Sequence, residues 1–332
     1  MTLHDFAAVV RKTWGRNILF SVLAELTYSC NLDCFFCYND LALRGAKLEL
    51  PDYERFFSDL AGLGCLHLTL TGGEPLAHPE FFAIGASARE LGFVVRVKSN
   101  GHSIRGRILE RLQKEVDPLV VEVSLHGGKA ATHDRQTRVP GSFERLLSNL
   151  AAMKAAGLRF KINSTLTCWN ESEAAAMYEI ADGLGAPLTF DPDVTPRDDG
   201  DRTPLSIRAS KEGLEKLYDV QTRRSRLLVA RQGDTELPSV DSRKHCGAGS
   251  SGMAVDPFGN VYPCVQWRRP VGNLHERSIR DIWTGASGLN EIRALSETIK
   301  AMGPRAYCPG AQESLTGSPL PTTAVLLPLY PA

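Results

Sequence analysis

The chain has 332 residues, of which 38 are lysine or arginine and 38 aspartate or glutamate, so its formal net charge is zero. That balance leaves no overall field to draw it to nucleic acid or to an anionic membrane, and no apolar run reaches the ~20 residues needed to cross a bilayer. The 43% apolar content suits one large or two modest globular domains. The eight cysteines are clustered rather than spread as a disulfide framework, which favours metal binding in a reducing compartment. Residues 1–16 lack the apolar segment of a signal peptide. The apolar tail at 324–329 is interrupted by Pro328 and reads as packing against the body rather than anchoring in lipid. A soluble, cytoplasmic protein is expected.

An apolar run over residues 18–28 reads as the first strand and ends at a cysteine loop. Tyr53, Phe56, Phe57, Leu60 and Leu63 then recur at helical spacing over 51–63. A strand over 65–70 ends in Thr71-Gly72-Gly73-Glu74-Pro75, a helix covers 79–91, and a strand over 93–97 ends in Lys98-Ser99-Asn100-Gly101. A helix is placed at 104–116, and a strand at 119–123 ends in Ser124-Leu125-His126-Gly127. The next helix runs over 142–156, with Ser142 as its N-cap and Gly157 as its stop. Strand 160–166, helix 171–184 and strand 187–190, ending in Asp191-Pro192-Asp193, complete the series.

Six strand–helix units with short, nearly continuous apolar strands predict a parallel sheet. An open doubly wound sheet and a barrel both fit that alternation. The polar motifs follow successive strands rather than one switch point, and in a barrel such strand ends converge on one mouth. The reading is therefore an α/β fold: a partial (β/α)6 TIM-like barrel over 18–205, a helical linker over 206–240 with a basic helix at 211–231, and a small α+β domain with a β-hairpin over 241–332.

Cys30, Cys34 and Cys37 stand on one loop with the spacing C-x3-C-x2-C. Three thiolates can hold three irons of a cubane and leave the fourth open to a substrate or cofactor, whereas four cysteines close a cluster for electron transfer. The spacing favours catalysis. A structural zinc site would need a fourth ligand, often as two C-x2-C pairs, and the first 240 residues supply none near the loop. Cys65 and Cys168, alone in strand-like contexts, read as buried thiols.

This loop after a first strand, with Phe36 before the last cysteine and Gly72-Gly73-Glu74 after the second strand, resembles the radical SAM superfamily over roughly residues 18–200. The resemblance implies a catalytic [4Fe–4S] cluster on Cys30, Cys34 and Cys37 whose fourth iron is chelated by S-adenosylmethionine. One electron then cleaves the sulfonium to methionine and a 5′-deoxyadenosyl radical, which abstracts a substrate hydrogen. It further implies that Gly72 and Gly73 let the backbone approach the methionine amino group, with Glu74 supporting that edge. Phe36 would lie near the adenine, Ser99 and Asn100 near the ribose, and Ser124 near the ribose or methionine. Arg138 would pair with the methionine carboxylate, a geometry that suits a guanidinium fork. Ser99-Asn100 stands where the family more usually has Thr-Asn, and His126 where it often has aspartate. His126 itself reads as a strand-end histidine hydrogen-bonded to backbone.

A second group comprises Cys246, Cys264 and Cys308. Asp256-Pro257-Phe258-Gly259-Asn260 between short apolar runs is a hairpin turn, which would bring Cys246 and Cys264 together. With Gly272-Asn273-Leu274 and Ile282-Trp283 following, the pattern resembles the auxiliary-cluster domains called SPASM or, when shortened, twitch. A full SPASM domain has seven cysteines for two clusters; here three follow position 240, and Ala311 stands where a partner of Cys308 would be. The resemblance implies one auxiliary iron–sulfur cluster on Cys246, Cys264 and Cys308 with an open or non-cysteine fourth position.

Asp191, Asp193, Asp198, Asp199 and Asp201 read as a solvated acidic loop near the mouth. Arg223, Arg224, Arg226 and Arg231 read as a solvated helix face, without the stacking aromatics that RNA binding requires. The expected function is that of a radical SAM enzyme (oxidoreductase, epimerase or crosslinking maturase) modifying a ribosomally made peptide. The alternative substrate is a small molecule such as a nucleotide, sugar or cofactor precursor. A non-catalytic iron–sulfur electron carrier is the alternative of another class. The resemblance also implies a reductant such as flavodoxin or ferredoxin. Because Cys30 comes so early, peptide recognition is expected at the barrel mouth, in the C-terminal region or on a separate leader-peptide-binding protein.

Overall fold

Six strands pair in parallel in sequence order: β1 (Ser21–Thr27), β2 (His67–Gly72), β3 (Val94–Ser99), β4 (Val120–Ser124), β5 (Phe160–Thr165) and β6 (Leu188–Asp191). The structure is a computed structural model that describes residues 3–40, 42–232, 244–302 and 307–320. The apolar tail at 324–329 lies outside them. Successive strand residues point to opposite faces, and here the two faces differ in chemistry. Val22, Ala24, Leu26, Leu68, Leu70, Val95, Val97, Val121, Val123 and Ile162 form one buried apolar face. It packs under α2 (Leu50–Gly62), α3 (Phe81–Glu90), α4 (Gly106–Arg111), α5 (Ala130–Thr137), α6 (Ser142–Ala155) and α7 (Ala174–Leu184), which follow an N-terminal α1 (Leu3–Arg16). Phe57, Leu60, Phe81, Ile84, Leu146 and Leu150 supply the helices' side of this core. The opposite face is polar and turns toward the barrel interior, with Thr71, Lys98, Glu122, Ser124, Lys161 and Asn163.

After α8 (Lys211–Gln232) come β7 (Gly252–Val255), β8 (Asn260–Tyr262) and β9 (Gly272–Asn273), then α9 (Ile279–Gly285), α10 (Ser287–Ala301) and α11 (Pro309–Thr316). β7 pairs in parallel with the free edge of β1, Ser21 opposite Gly252 through Ala24 opposite Val255. β8 and β9 follow antiparallel, so one sheet runs in the order β6-β5-β4-β3-β2-β1-β7-β8-β9. The hairpin expected of a separate C-terminal unit is thus hydrogen-bonded into the barrel sheet. Its turn is tied by Asp256: Oδ1 accepts from the backbone N–H of Phe258 and Asn260, and Oδ2 from Asn260 Nδ2 and the Tyr262 hydroxyl.

Several local expectations are corrected. α1 and α5 were not foreseen, and the helix expected to reach residue 116 is α-helical only to Arg111 and continues as a wider π turn. The N-cap of α6 is Gly141, at φ +76°, not Ser142. Ser142 instead donates to Asp134 Oδ1 at 2.8 Å and shares a 2.7 Å hydrogen bond with Thr137. Cys65 is buried but Cys168 is exposed, because β5 stops at Thr165 and the chain turns at once, Thr167 N–H bonding Asn170 Oδ1 at 2.8 Å. Arg224 is not merely solvated: it makes a two-pronged pair with Asp182 and lies over the Tyr178 ring, tying α8 to α7. The side chains of Arg226 and Arg231 lie outside the described residues.

Candidate active site

The cysteine loop leaves the end of β1 and docks on the end of α5, where Asp33 N–H bonds Thr137 O at 3.1 Å and Phe35 N–H bonds Gln136 O at 2.9 Å. Its base rests on the Gly72-Gly73-Glu74 turn. Gly73 N–H donates to Thr27 O at 2.6 Å and Glu74 N–H to Ser29 O at 2.9 Å. A side chain on Gly72, at φ +134°, would strike the Thr27 carbonyl, and one on Gly73 the carbonyls of Tyr28 and Ser29. These glycines are therefore required by the loop's own backbone, as well as lining the cavity beside it.

Glu74 is buried under that rim. Its Oε1 accepts from Ser99 Oγ at 2.9 Å and Leu76 N–H at 3.2 Å, and its Oε2 from Asn100 N–H at 2.8 Å. Burial outweighs these donors and pushes its carboxyl up to about 7. Asn100 in turn donates through Nδ2 to Asn31 Oδ1 at 2.7 Å and stands 3.8 Å from Cys30 Sγ. The ends of β2 and β3 thus brace the cysteine loop through one carboxylate and one amide.

The loop and the strand ends enclose an open-mouthed cavity of ≈ 460 Å³. Cys30, Cys34 and Cys37 all line it, as do Phe36, Gly72, Gly73, Ser99, Asn100 and Ser124. Glu74 lies behind the lining. Arg138 is also outside it: in the left-handed conformation at φ +56°, it pairs with Asp33 at 3.1 Å and covers the Phe35 ring. His126 lines the cavity edge-on to Phe36, 4.6 Å between ring centres. Its Nδ1 accepts from Thr165 N–H at 3.3 Å, the backbone bond foreseen for it. Burial, with His133 stacked beneath, lowers His126 to about 3, so the ring is neutral with its proton on Nε2.

Asp191 and Asp193, read as part of a solvated loop, line this cavity, and burial raises both carboxyls, Asp193 to about 6. Tyr38, Lys98, Glu122, Lys161, Asn163 and Gln266 join them, and sequence reasoning singled out none of these six. A signal was available: Arg96 and Lys98 of β3, Glu122 and Ser124 of β4, and Lys161 and Asn163 of β5 recur at every second position, between apolar neighbours such as Val97, Val123 and Ile162.

The donor chemistry fits an iron–sulfur group. Burial, and for Cys34 the neighbouring Cys37 and Cys30, push all three loop thiols above their ordinary value. Bare, they hold protons that a bound metal displaces. Among the described residues no three His, Cys, Asp or Glu side chains are drawn in tightly enough for a single metal ion. The thiols nonetheless sense one another's charge, a spacing open to a multi-iron group.

The same holds in the C-terminal region, where burial raises Cys246, Cys264 and Cys308, which also interact with one another. Cys308 caps α11, and a side chain on Gly310 would strike the Gln266 carbonyl, so α11 begins directly against the turn that follows Cys264. Trp267 Nε1 donates to Glu313 Oε2 of α11 at 3.1 Å.

From that turn Arg268 reaches back into the barrel. It makes a two-pronged pair with Glu25 of β1, at 2.7 and 3.0 Å, and its Nε stands 2.9 Å from Asp198 Oδ2, poorly aligned for a hydrogen bond. The hydroxyls of Tyr28 and Tyr38 also donate to Glu25. Burial raises the Asp198 carboxyl to about 7 although Arg268 opposes this. One buried network thus joins the cysteine loop, the segment after β6 and the C-terminal thiol region.

Residues 24–181 match the radical SAM superfamily and residues 246–309 the SPASM iron–sulfur cluster-binding domain. AdoMet-dependent heme synthase of Methanosarcina barkeri is 27% identical over 291 residues, covering 81% of this chain and 83% of that protein. PqqA peptide cyclase of Ruegeria pomeroyi is 29% identical over 295 residues, covering 85% and 79%. In fold the chain is similar to Streptococcus suis SuiB bound to S-adenosylmethionine, with a TM-score of 0.68 at 16% identity over 87% of this chain and 71% of that one. A radical SAM domain binds a [4Fe–4S] cluster and S-adenosylmethionine, and a SPASM domain binds auxiliary iron–sulfur clusters. With both domains in one chain around a cavity lined by three cysteines, this protein is an enzyme of the radical SAM superfamily that carries a C-terminal SPASM domain.

Proposed function

We propose that this enzyme modifies a peptide by hydrogen abstraction. The observation that carries the reading is the length of the cleft. The cavity at the cysteine loop adjoins a second one of ≈ 390 Å³, and the two share Tyr38, Thr195 and Gln266. The second cavity lies between the segment after β6 and α11, lined by Arg197, Arg202, Trp267, Arg268 and Glu313. With the cluster and S-adenosylmethionine at the loop end of the first pocket, the second pocket prolongs the space left for substrate away from them, which suits an extended chain. The peptide cyclase among the relatives points the same way.

Cys30, Cys34 and Cys37 would hold the catalytic cluster, and Cys246, Cys264 and Cys308 one auxiliary cluster. Bound there, the cluster and S-adenosylmethionine supply a one-electron route to hydrogen abstraction. Gly72, Gly73, Ser99, Asn100 and Ser124 line the rim on which S-adenosylmethionine would rest, with Glu74 bracing it and Phe36 flanking it. Arg138 would serve that rim from outside, by fixing Asp33 and Phe35. We assign the barrel to residues 18–205, the helical connection to 206–240 and the SPASM unit to 241–332. The enzyme is placed in the cytoplasm, where free thiols persist. It would take its electron from a flavodoxin or ferredoxin and its substrate with or without a separate leader-peptide-binding protein.

After anaerobic cluster loading and dithionite reduction, the protein is expected to yield methionine and 5′-deoxyadenosine, and Cys34→Ala to reduce that yield at least a hundredfold; undiminished cleavage in the variant would remove Cys34 from the site. For the substrate class, host-cell extract is expected to stimulate 5′-deoxyadenosine formation, and protease treatment to abolish the stimulation. Protease-resistant stimulation would turn the reading to a small molecule.

A further inference from the structure

Below the rim the barrel carries a layer of charge. Lys98 of β3 stands opposite Glu122 of β4, and Glu122 opposite Lys161 of β5, so the three side chains form one row across three neighbouring strands. Strand rise puts this row about 7 Å deeper than Ser124, two residues further along β4. Lys161 Nζ is 3.0 Å from Glu122 Oε1, while Lys98 Nζ is 3.8 Å from Oε2, which already accepts from Asn163 Nδ2 at 2.8 Å. Arg96, one layer deeper, approaches Oε1 only to 3.9 Å, and its buried Nε has no hydrogen-bond partner.

One buried carboxylate thus faces three cations, of which one is closely paired. Asp191 on β6 is the other carboxylate that Lys98 approaches, and Asp193 beside it also lines the cavity, so the positive surplus belongs to the row itself, two lysines to one glutamate. A closed barrel usually fills this depth with packed apolar side chains. Here Lys98, Glu122 and Lys161 instead line open cavity. The Lys98 and Lys161 side chains keep 44% and 30% of their surface exposed, so the surplus positive charge of the row faces open cavity, and the row has room for one more anion.

We propose that Lys98 and Lys161 form an anion-binding subsite at the floor of the active-site cavity, which receives a carboxylate of the substrate; resting on the peptide reading above, this is an acidic side chain or a free C-terminus. Glu122 serves as the positioning residue that holds both ammonium groups at one level. A substrate carboxylate on Lys98 would place the adjoining carbon atoms between the charged layer and the rim, under the cysteine loop. The subsite therefore selects which residue of a peptide lies in reach of hydrogen abstraction.

The test measures binding to the cluster-loaded, S-adenosylmethionine-bound protein by titration calorimetry. The probes are N-acetylglutamate N-methylamide against N-acetylglutamine N-methylamide, and N-acetylalanine against its amide. A charge-assisted contact predicts at least about tenfold tighter binding of a carboxylate over its amide. Which of the two pairs shows the preference tells a side-chain carboxylate from a terminal one. Lys98→Met is expected to reduce that preference to less than threefold, as is the charge-balanced double variant Lys161→Met with Glu122→Gln, which guards against misfolding of the single change. Equal binding of acid and amide in both pairs would overturn the proposal. So would a Lys98→Met variant that loses S-adenosylmethionine affinity by the same factor, since the lysines would then serve the methionine carboxylate. The protease experiment decides the peptide reading separately, so either conclusion can fail without the other.

Discussion

At the scale of single residues, burial decides the protonation of the groups around the cavity. His126 and His133 are held neutral, at about 3 and about 4 against an ordinary 6.5, with desolvation as the main cause for each. The sign follows from linkage: between pH 6.5 and 4 the unfolded chain takes up protons that the folded chain refuses. Their contribution to stability is therefore complete above pH 6.5 and is lost as pH falls, at about 1.4 kcal/mol per pH unit for each histidine. Denaturant titrations of the wild type and His126→Gln at pH 7 and 4.5 check this, with the gap between the two pH values expected to narrow in the variant by on the order of 2 kcal/mol. An equal gap would mean that His126 protonates in the folded state. The cysteine loop and the Gly72-Gly73-Glu74 turn stood out in the sequence because each is a short local motif, and their expected roles came from the family resemblance that the two carry together. The polar floor did not stand out, since Lys98, Glu122 and Lys161 are 24 and 39 residues apart in sequence and only strand register aligns them.

At the scale of elements, β1 is the hub. It pairs with β2 on one side and β7 on the other, and delivers the cysteine loop at its end. Its Glu25 side chain is fully buried and is compensated by Arg268 from the turn after Cys264. Truncation to Arg268→Ala would leave that charge with only two tyrosine hydroxyls, and removing one partner of a buried pair costs about 3–5 kcal/mol. Chemical unfolding is expected to show that loss, and the double change Glu25→Gln with Arg268→Met to recover more than half of it. A loss below about 1 kcal/mol in the single variant would mean that water reaches Glu25. The strands and most helices were legible within a few residues from apolar periodicity. α5 was not, because its eight residues carry little apolar repeat and its place is set by docking against the cysteine loop.

At the scale of the whole molecule, two thiol triads flank one continuous sheet, linked by the Glu25–Arg268–Asp198 network. If each triad holds one cluster, the variant with Cys30, Cys34 and Cys37 all changed to alanine is expected to retain about half the iron and sulfide of the loaded wild type. The variant with Cys246, Cys264 and Cys308 changed should likewise retain about half, while keeping the spectroscopic response to S-adenosylmethionine that the first variant loses. Iron near zero in the first would mean that the C-terminal thiols hold nothing. Among the described residues no helix is long and apolar enough to cross a membrane, as the composition implied. The sequence by itself determined the repeating parallel architecture, through apolar residues at strand and helix periods, and an iron–sulfur loop through the cysteine spacing; the S-adenosylmethionine chemistry came from the resemblance to the radical SAM superfamily that the cysteine loop and the glycine turn carry together. Only the tertiary structure decided that the hairpin joins the barrel sheet, that Arg268 reaches Glu25 and that two lysines share one carboxylate below the rim. Those pairings depend on register and on contacts between residues far apart in the chain, which no local pattern encodes.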